Sequence, residues 1–85
     1  MPPFYYMYAD YGGTYGHNET PDKEEFTRWL ENILHKDGAN GLQDWELYLV
    51  PGKYKHDSDN QKRRAGRRIN VDVEHGSKVK IKESA

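Results

Sequence analysis

The densest group of chemically active side chains lies in the second half of the chain. The segment 61–68 reads QKRRAGRR, and its five cations are Lys62, Arg63, Arg64, Arg67 and Arg68. Phosphate backbones attract such clusters, because each neutralised phosphate releases counterions and the arginine fork matches two phosphate oxygens. No acidic residue lies between Asn60 and Asn70. The run therefore predicts binding to RNA or another polyanion, and a solvated loop with ordinary surface charge is the alternative explanation.

Two further groups of residues extend this predicted surface. One is a tyrosine between two lysines, and the other is a set of three lysines at alternate positions. They are Lys53, Tyr54, Lys55, Lys78, Lys80 and Lys82. A ring beside cations can stack an unpaired base, and alternate positions place side chains on one face of a strand. The predicted nucleic-acid site consists of these six residues and the five cations of segment 61–68.

Motifs for catalysis or metal binding are weak. The glycine-rich segment 12–16 lacks the lysine and hydroxyl residue of a phosphate-binding loop, so it indicates a turn. Segment 57–61 starts like a calcium loop, but Lys62 stands where glycine is required. The four histidines are scattered, without metal-ligand spacing. We expect no metal, no cofactor and no enzyme activity. A small ribonuclease, with a histidine base beside Arg63 or Lys55, is the third alternative.

Length and composition predict a single domain over residues 1–85. Only 34% of the residues are hydrophobic and 32% are charged, so the core is thin and a partner, including a second copy of the chain, would stabilise it. The absence of cysteine excludes a disulfide framework and indicates a reducing compartment such as the cytoplasm. No apolar run is long enough to span a bilayer, and no leader peptide is recognisable. We therefore expect a cytoplasmic protein that does not contact membranes.

Charge is distributed unevenly along the chain. The residues up to Glu46 include three basic and nine acidic side chains, whereas the remainder includes ten basic and five acidic ones. The net charge of −1 is thus the sum of −6 and +5. The acidic half offers a second type of surface, a helix face with Glu24, Glu31 and Asp37, which suits a basic protein partner.

The first half of the chain predicts one strand and one helix. Segment 4–11 reads FYYMYADY, which is typical of a strand, and its two apolar faces predict an interior position in a sheet. A loop is expected over segment 12–16. Thr20 and Pro21 predict a helix start, and Gly38 predicts its end. The helix carries one apolar stripe, formed by Phe26, Trp29, Leu30, Ile33 and Leu34.

The second half predicts further strands around the basic segment. Segment 45–50 reads WELYLV and is typical of a strand, whereas 53–56 predicts a short edge strand. Segment 57–68 is almost entirely polar, which predicts an exposed, mobile loop. Apolar residues then alternate on both sides of a three-residue turn at 75–77, which predicts a hairpin. Its register pairs Val73 with Val79 on the face toward the core and Glu74 with Lys78 on the other face, because only this register matches both faces.

Together these patterns predict an α+β fold, in which one helix packs on a small, mostly antiparallel sheet in the order β-α-β-(β)-β-β. The functional interpretation that they favour is a non-enzymatic protein that binds RNA through an arginine-rich loop. The alternative is a protein inhibitor or adaptor that docks on another macromolecule.

A compact, cysteine-free chain with the aromatic N-terminal segment FYYMYADY and an arginine-rich C-terminal part resembles the small proteins that phages use to disable host or defence enzymes. The resemblance is one of general character and transfers no residue roles. It implies a protein target, for example a host or defence enzyme such as an RNA-handling toxin.

Overall fold

The computed structural model describes residues 1–11 and 14–83, which form five strands and two α-helices. The elements are β1 (Phe4–Tyr11), β2 (Thr14–Thr20), α1 (Lys23–Gln43), β3 (Glu46–Val50), α2 (Asp59–Ala65), β4 (Arg67–Glu74) and β5 (Lys78–Glu83). A single turn of 3₁₀-helix, Gly52–Tyr54, connects β3 to α2. The fold is α+β, with one main helix on an antiparallel sheet, as the sequence predicts. None of the described helices is long and apolar enough to cross a membrane.

The strands form one antiparallel sheet in the order β2-β1-β3-β4-β5. The interior position predicted for β1 is confirmed, since it lies between β2 and β3. Its alternating side chains are buried on both faces of the sheet. Tyr5 and Met7 pack under α1, whereas Phe4 and Tyr6 belong to a second apolar cluster on the opposite face. The sheet therefore has a helix on each face, the long α1 on one and the short α2 on the other.

Helix α1 begins close to the predicted position and supplies four of the nine buried residues of the larger core. Its N-cap is Asp22, whose Oδ1 accepts from the backbone N–H of Glu24 at 2.9 Å, while Thr20 Oγ1 accepts from the Asp22 N–H. The apolar stripe packs on the sheet, and the Phe26 ring stacks on Tyr5 at a centroid distance of 5.1 Å. Gly38 has φ 75° and ψ −174°, a conformation outside the αL region that essentially only glycine adopts; it kinks the helix, and the chain then resumes helical conformation up to Gln43.

The β4–β5 hairpin has the predicted register. Val73 pairs with Val79 and Glu74 with Lys78, around a turn in which His75 and Gly76 both have positive φ. Val79 is buried, but Val73 is 44% exposed because it lies near the tip of the hairpin. The expectation that both members of this pair face the core is therefore wrong for Val73.

Three further local predictions are wrong. The loop expected after β1 is in fact strand β2 from Thr14 onward, while the predicted turn residues Gly12 and Gly13 lie outside the described residues. Segment 53–56 forms no edge strand but continues the 3₁₀ turn. The exposed loop expected over 57–68 is mainly helix α2, followed by the start of β4.

Helix α2 forms because capping and charge favour it despite its polar sequence. Ser58 is the N-cap, with Oγ accepting from the Gln61 N–H at 3.2 Å. Asp59 lies in the first turn and cations occupy the last turn, the arrangement that the helix dipole favours. The helix ends at Gly66, where a Cβ atom would lie 2.9 Å from Val50 Cγ2, so only glycine permits this close approach to the sheet.

Candidate nucleic-acid interface

Lys62, the first cation of the arginine-rich segment, is buried beneath α2. Its Nζ donates to Glu19 Oε1 on β2 at 2.7 Å, and its side chain is only 9% exposed. The ammonium group also lies 5.8 Å from the centre of the Phe4 ring and 5.5 Å from that of Tyr6. Because the charge is neutralised inside the protein, Lys62 is not placed to meet a phosphate, contrary to its predicted exposure.

Arg63 is also turned toward the sheet. Its guanidinium lies 4.0 Å from the centroid of the Tyr8 ring, and Nη1 is 3.8 Å from Glu46 Oε1. The same carboxylate accepts from the Tyr48 hydroxyl at 2.6 Å. Burial, and then this hydrogen bond to Glu46, raise the pKa of Tyr48. Arg63 therefore joins α2 to β1 and β3, and Glu46 neutralises part of its charge.

Asp59, at the other end of α2, gathers three side chains from β1 and β2. Its carboxylate accepts from the Tyr6 hydroxyl at 2.5 Å and from the Tyr15 hydroxyl, and His17 Nδ1 lies 3.6 Å away. Burial is the main cause that raises the pKa of Tyr6, followed by its hydrogen bond to Asp59. A carboxylate beside an imidazole can orient it as a general base. This cluster is the feature that the sequence analysis missed.

The remaining predicted cations are exposed. Arg68, at the start of β4, has its guanidinium 5.4 Å from the centre of the Tyr48 ring. Lys53 Nζ lies 5.2 Å from the centre of the half-buried Tyr54 ring, so the predicted pairing of ring and cation is present. On β5, Lys82 pairs with Asp72 at 2.8 Å. Six cations of the predicted site are exposed and have no carboxylate of the described residues within ion-pair distance: Lys53, Lys55, Arg64, Arg67, Lys78 and Lys80.

Four of these six cations line, or are next in sequence to residues that line, two hollows that share Met1. We call Lys53, Lys55, Arg64 and Arg67 the basic end. A hollow of about 540 Å³ is lined by Gly52, Ala65, Gly66 and Arg67, among others. Met1 lines this hollow and also a neighbouring one of about 250 Å³, to which Lys55 contributes. Lys53 follows Gly52 and Arg64 precedes Ala65 in sequence, so the backbone of each of these two residues adjoins the larger hollow.

The β5 lysines and the acidic helix face are less suited to binding. Lys78 and Lys80 are each directly opposite an acidic residue of β4, Glu74 and Asp72 respectively. On α1, Glu31 Oε2 accepts from the Val79 backbone N–H at 2.9 Å, so this carboxylate protects the edge of β5 instead of facing a partner.

No described group of three or more histidine or carboxylate side chains is arranged to hold a metal ion. No protein-family model, curated protein or solved structure matches the chain.

Proposed function

We propose that this chain binds RNA or a similar polyanion in the cytoplasm, without catalysis, through its basic end. One observation carries the proposal: the four exposed cations of the basic end belong to segments that border two adjoining hollows, and none has a carboxylate at ion-pair distance within the described residues. Exposed cations keep their charge available for phosphates, whereas a cation already paired must first give up its partner.

The number of unpaired cations at the basic end predicts how strongly the affinity for RNA depends on the salt concentration. Lys62 and Arg63 are held by carboxylates of Glu19 and Glu46, so they add little to the count of released counterions. If the basic end neutralises four phosphates of single-stranded RNA, the slope of log K against log salt is about −2.8. Raising salt from about 50 to 200 mM then weakens binding about fifty-fold.

The test is fluorescence anisotropy of a labelled single-stranded oligouridylate, titrated at several salt concentrations. We expect Arg64→Ala/Arg67→Ala to reduce the salt slope to about −1.4, because two of the four contacts are lost. The matched control is Lys23→Ala/Arg28→Ala, which removes the same charge from exposed positions on α1 and should leave the slope unchanged. Thermal unfolding of both variants shows whether the fold is retained.

Three outcomes would overturn the proposal. Equal losses in the two double variants would mean that only net charge matters. No binding of oligouridylate by the wild-type protein at low salt would exclude the function, and a stoichiometric protein partner in a nucleic-acid-free preparation would then favour the inhibitor or adaptor hypothesis. If the wild-type protein cleaves the RNA and His17→Ala abolishes this cleavage, the protein is a ribonuclease, because His17 is the histidine beside Asp59.

A further inference from the structure

A second surface lies at the N-terminal end of α2, whereas Arg64 is in the last turn of this helix. Tyr15, on the edge strand β2, is 51% exposed, more than any other tyrosine, tryptophan or phenylalanine whose exposure the structure describes. Its ring centroid is 5.4 Å from that of Tyr8 and 5.3 Å from the His17 imidazole. Arg63 covers the Tyr8 ring at 4.0 Å. An exposed ring, a second aromatic, an imidazole and a guanidinium therefore share one patch, which we call the Tyr15 patch.

The Tyr15 ring is held in place before any ligand arrives. Its hydroxyl donates to Asp59, which belongs to the first turn of α2, and Tyr8 meets the ring at an interplanar angle of 71°. Contacts at the hydroxyl and with the Tyr8 and His17 rings leave about half of the residue in solvent. A fixed aromatic surface loses little conformational entropy when it binds, so it is well prepared for stacking.

We propose that the Tyr15 patch stacks an unpaired nucleobase, so that the preferred ligand is single-stranded RNA. The proposal rests on the RNA binding proposed for the basic end and specifies its substrate class. Aromatic and guanidinium planes stack bases that are free of a duplex, whereas bases inside a duplex cannot reach them. Of the two carboxylates beside the patch, Asp59 accepts from the Tyr6 and Tyr15 hydroxyls, whereas the exposed Asp10 is directly opposite Tyr15 in the β1–β2 register.

One strand can reach both surfaces along α2. Asp59, which contacts the Tyr15 patch, is the first residue of this seven-residue helix, and Arg64 is near its last. At about 1.5 Å rise per residue the whole helix is about 10 Å long, a distance that a short oligonucleotide spans. An RNA strand whose phosphates contact the basic end would therefore place one of its following bases at Tyr15.

The test compares Tyr15→Ala with Tyr15→Phe, using single-stranded oligoadenylate, an RNA duplex and heparin as probes. We expect Tyr15→Ala to weaken oligoadenylate binding about 5- to 150-fold, the fold-change that corresponds to losing one stacked base. Its salt slope should stay unchanged, because no cation is removed. Binding of duplex RNA and of heparin, which offers charge without bases, should not change. Tyr15→Phe retains the ring and should keep most of the affinity.

The outcomes separate the two proposals. If Arg64→Ala/Arg67→Ala loses affinity while Tyr15→Ala binds oligoadenylate as tightly as the wild type, stacking is refuted and polyanion binding stands. Equal weakening of heparin and oligoadenylate by Tyr15→Ala would also refute stacking, because it would indicate a change in electrostatics or fold. If the wild-type protein binds none of the three probes, both proposals fail.

Discussion

Replacing Lys62 with methionine removes a buried positive charge while keeping most of the side-chain volume. The lysine side chain is 9% exposed, and its Nζ lies 2.7 Å from Glu19 Oε1. The ammonium group also faces the rings of Phe4 and Tyr6. A methionine at this position can fill the same space against the rings, so Lys62→Met isolates the charge-dependent part of the interaction.

The expected loss of stability follows from the exposure of the two partners. Removing one member of a buried ion pair costs about 3–5 kcal/mol, because the other charge is left without compensation. Here the Glu19 side chain is 25% exposed and can regain water, so we expect Lys62→Met to lower the free energy of unfolding by about 2 kcal/mol. The reverse change, Glu19→Met, strands the more deeply buried ammonium and should cost about 3 kcal/mol.

Urea unfolding followed by tryptophan fluorescence measures both changes. The control is Arg64→Met, which removes the same charge from an exposed position on the same helix and should cost less than about 1 kcal/mol. Folded Lys62→Met should also bind oligouridylate as tightly as the wild type. If Lys62→Met were as stable as the wild type but bound RNA more weakly, Lys62 would be an exposed RNA contact and the burial argument would be refuted.

Two further predictions concern the core and its titration. Phe26→Ala should lower the free energy of unfolding by about 3–5 kcal/mol, because Phe26 is fully buried. Trp29→Ala should lower it by less, because Trp29 is half-buried, and denaturant titration of both variants measures the two losses. The pKa of Tyr6 is raised in the folded protein, so the Tyr6 hydroxyl loses its proton at a lower pH in the unfolded chain than in the folded one. The free energy of unfolding should therefore be unaffected by this group below about pH 10 and fall at higher pH. Tyr6→Phe should reduce that alkaline fall, and an identical pH profile for this variant would contradict the assignment.

Much of the fold could be predicted from the sequence, because strong local patterns specify it. The alternation around segment 75–77 determines the hairpin register, since a shift by one residue would expose the valines and bury charges. The apolar stripe of α1 and the two apolar faces of β1 likewise predict which of their side chains are buried. Strand β2 could not be predicted, because an edge strand with one paired side needs little apolar sequence: it reads TYGHNET.

The candidate site could be predicted in part. Arg64 and Arg67 are exposed and without a carboxylate at ion-pair distance among the described residues, as the absence of acids within 60–70 indicates. Lys62 and Arg63 belong to the same run, yet they meet acidic partners that are distant in sequence.

The sequence by itself determines which side chains carry charge and which segments must bury apolar surface. Only the tertiary structure decides which charges remain available, because ion pairing depends on distance in space. Glu19 lies 43 residues from Lys62 along the chain, yet the two charged groups are 2.7 Å apart. The packing of α2 against the sheet likewise brings Asp59 to Tyr15. It creates an aromatic patch from two segments, and neither sequence predicts that it contacts the other. Side chains of helix α2 are buried through ion pairs and ring contacts, and no hydrophobic pattern records that kind of burial.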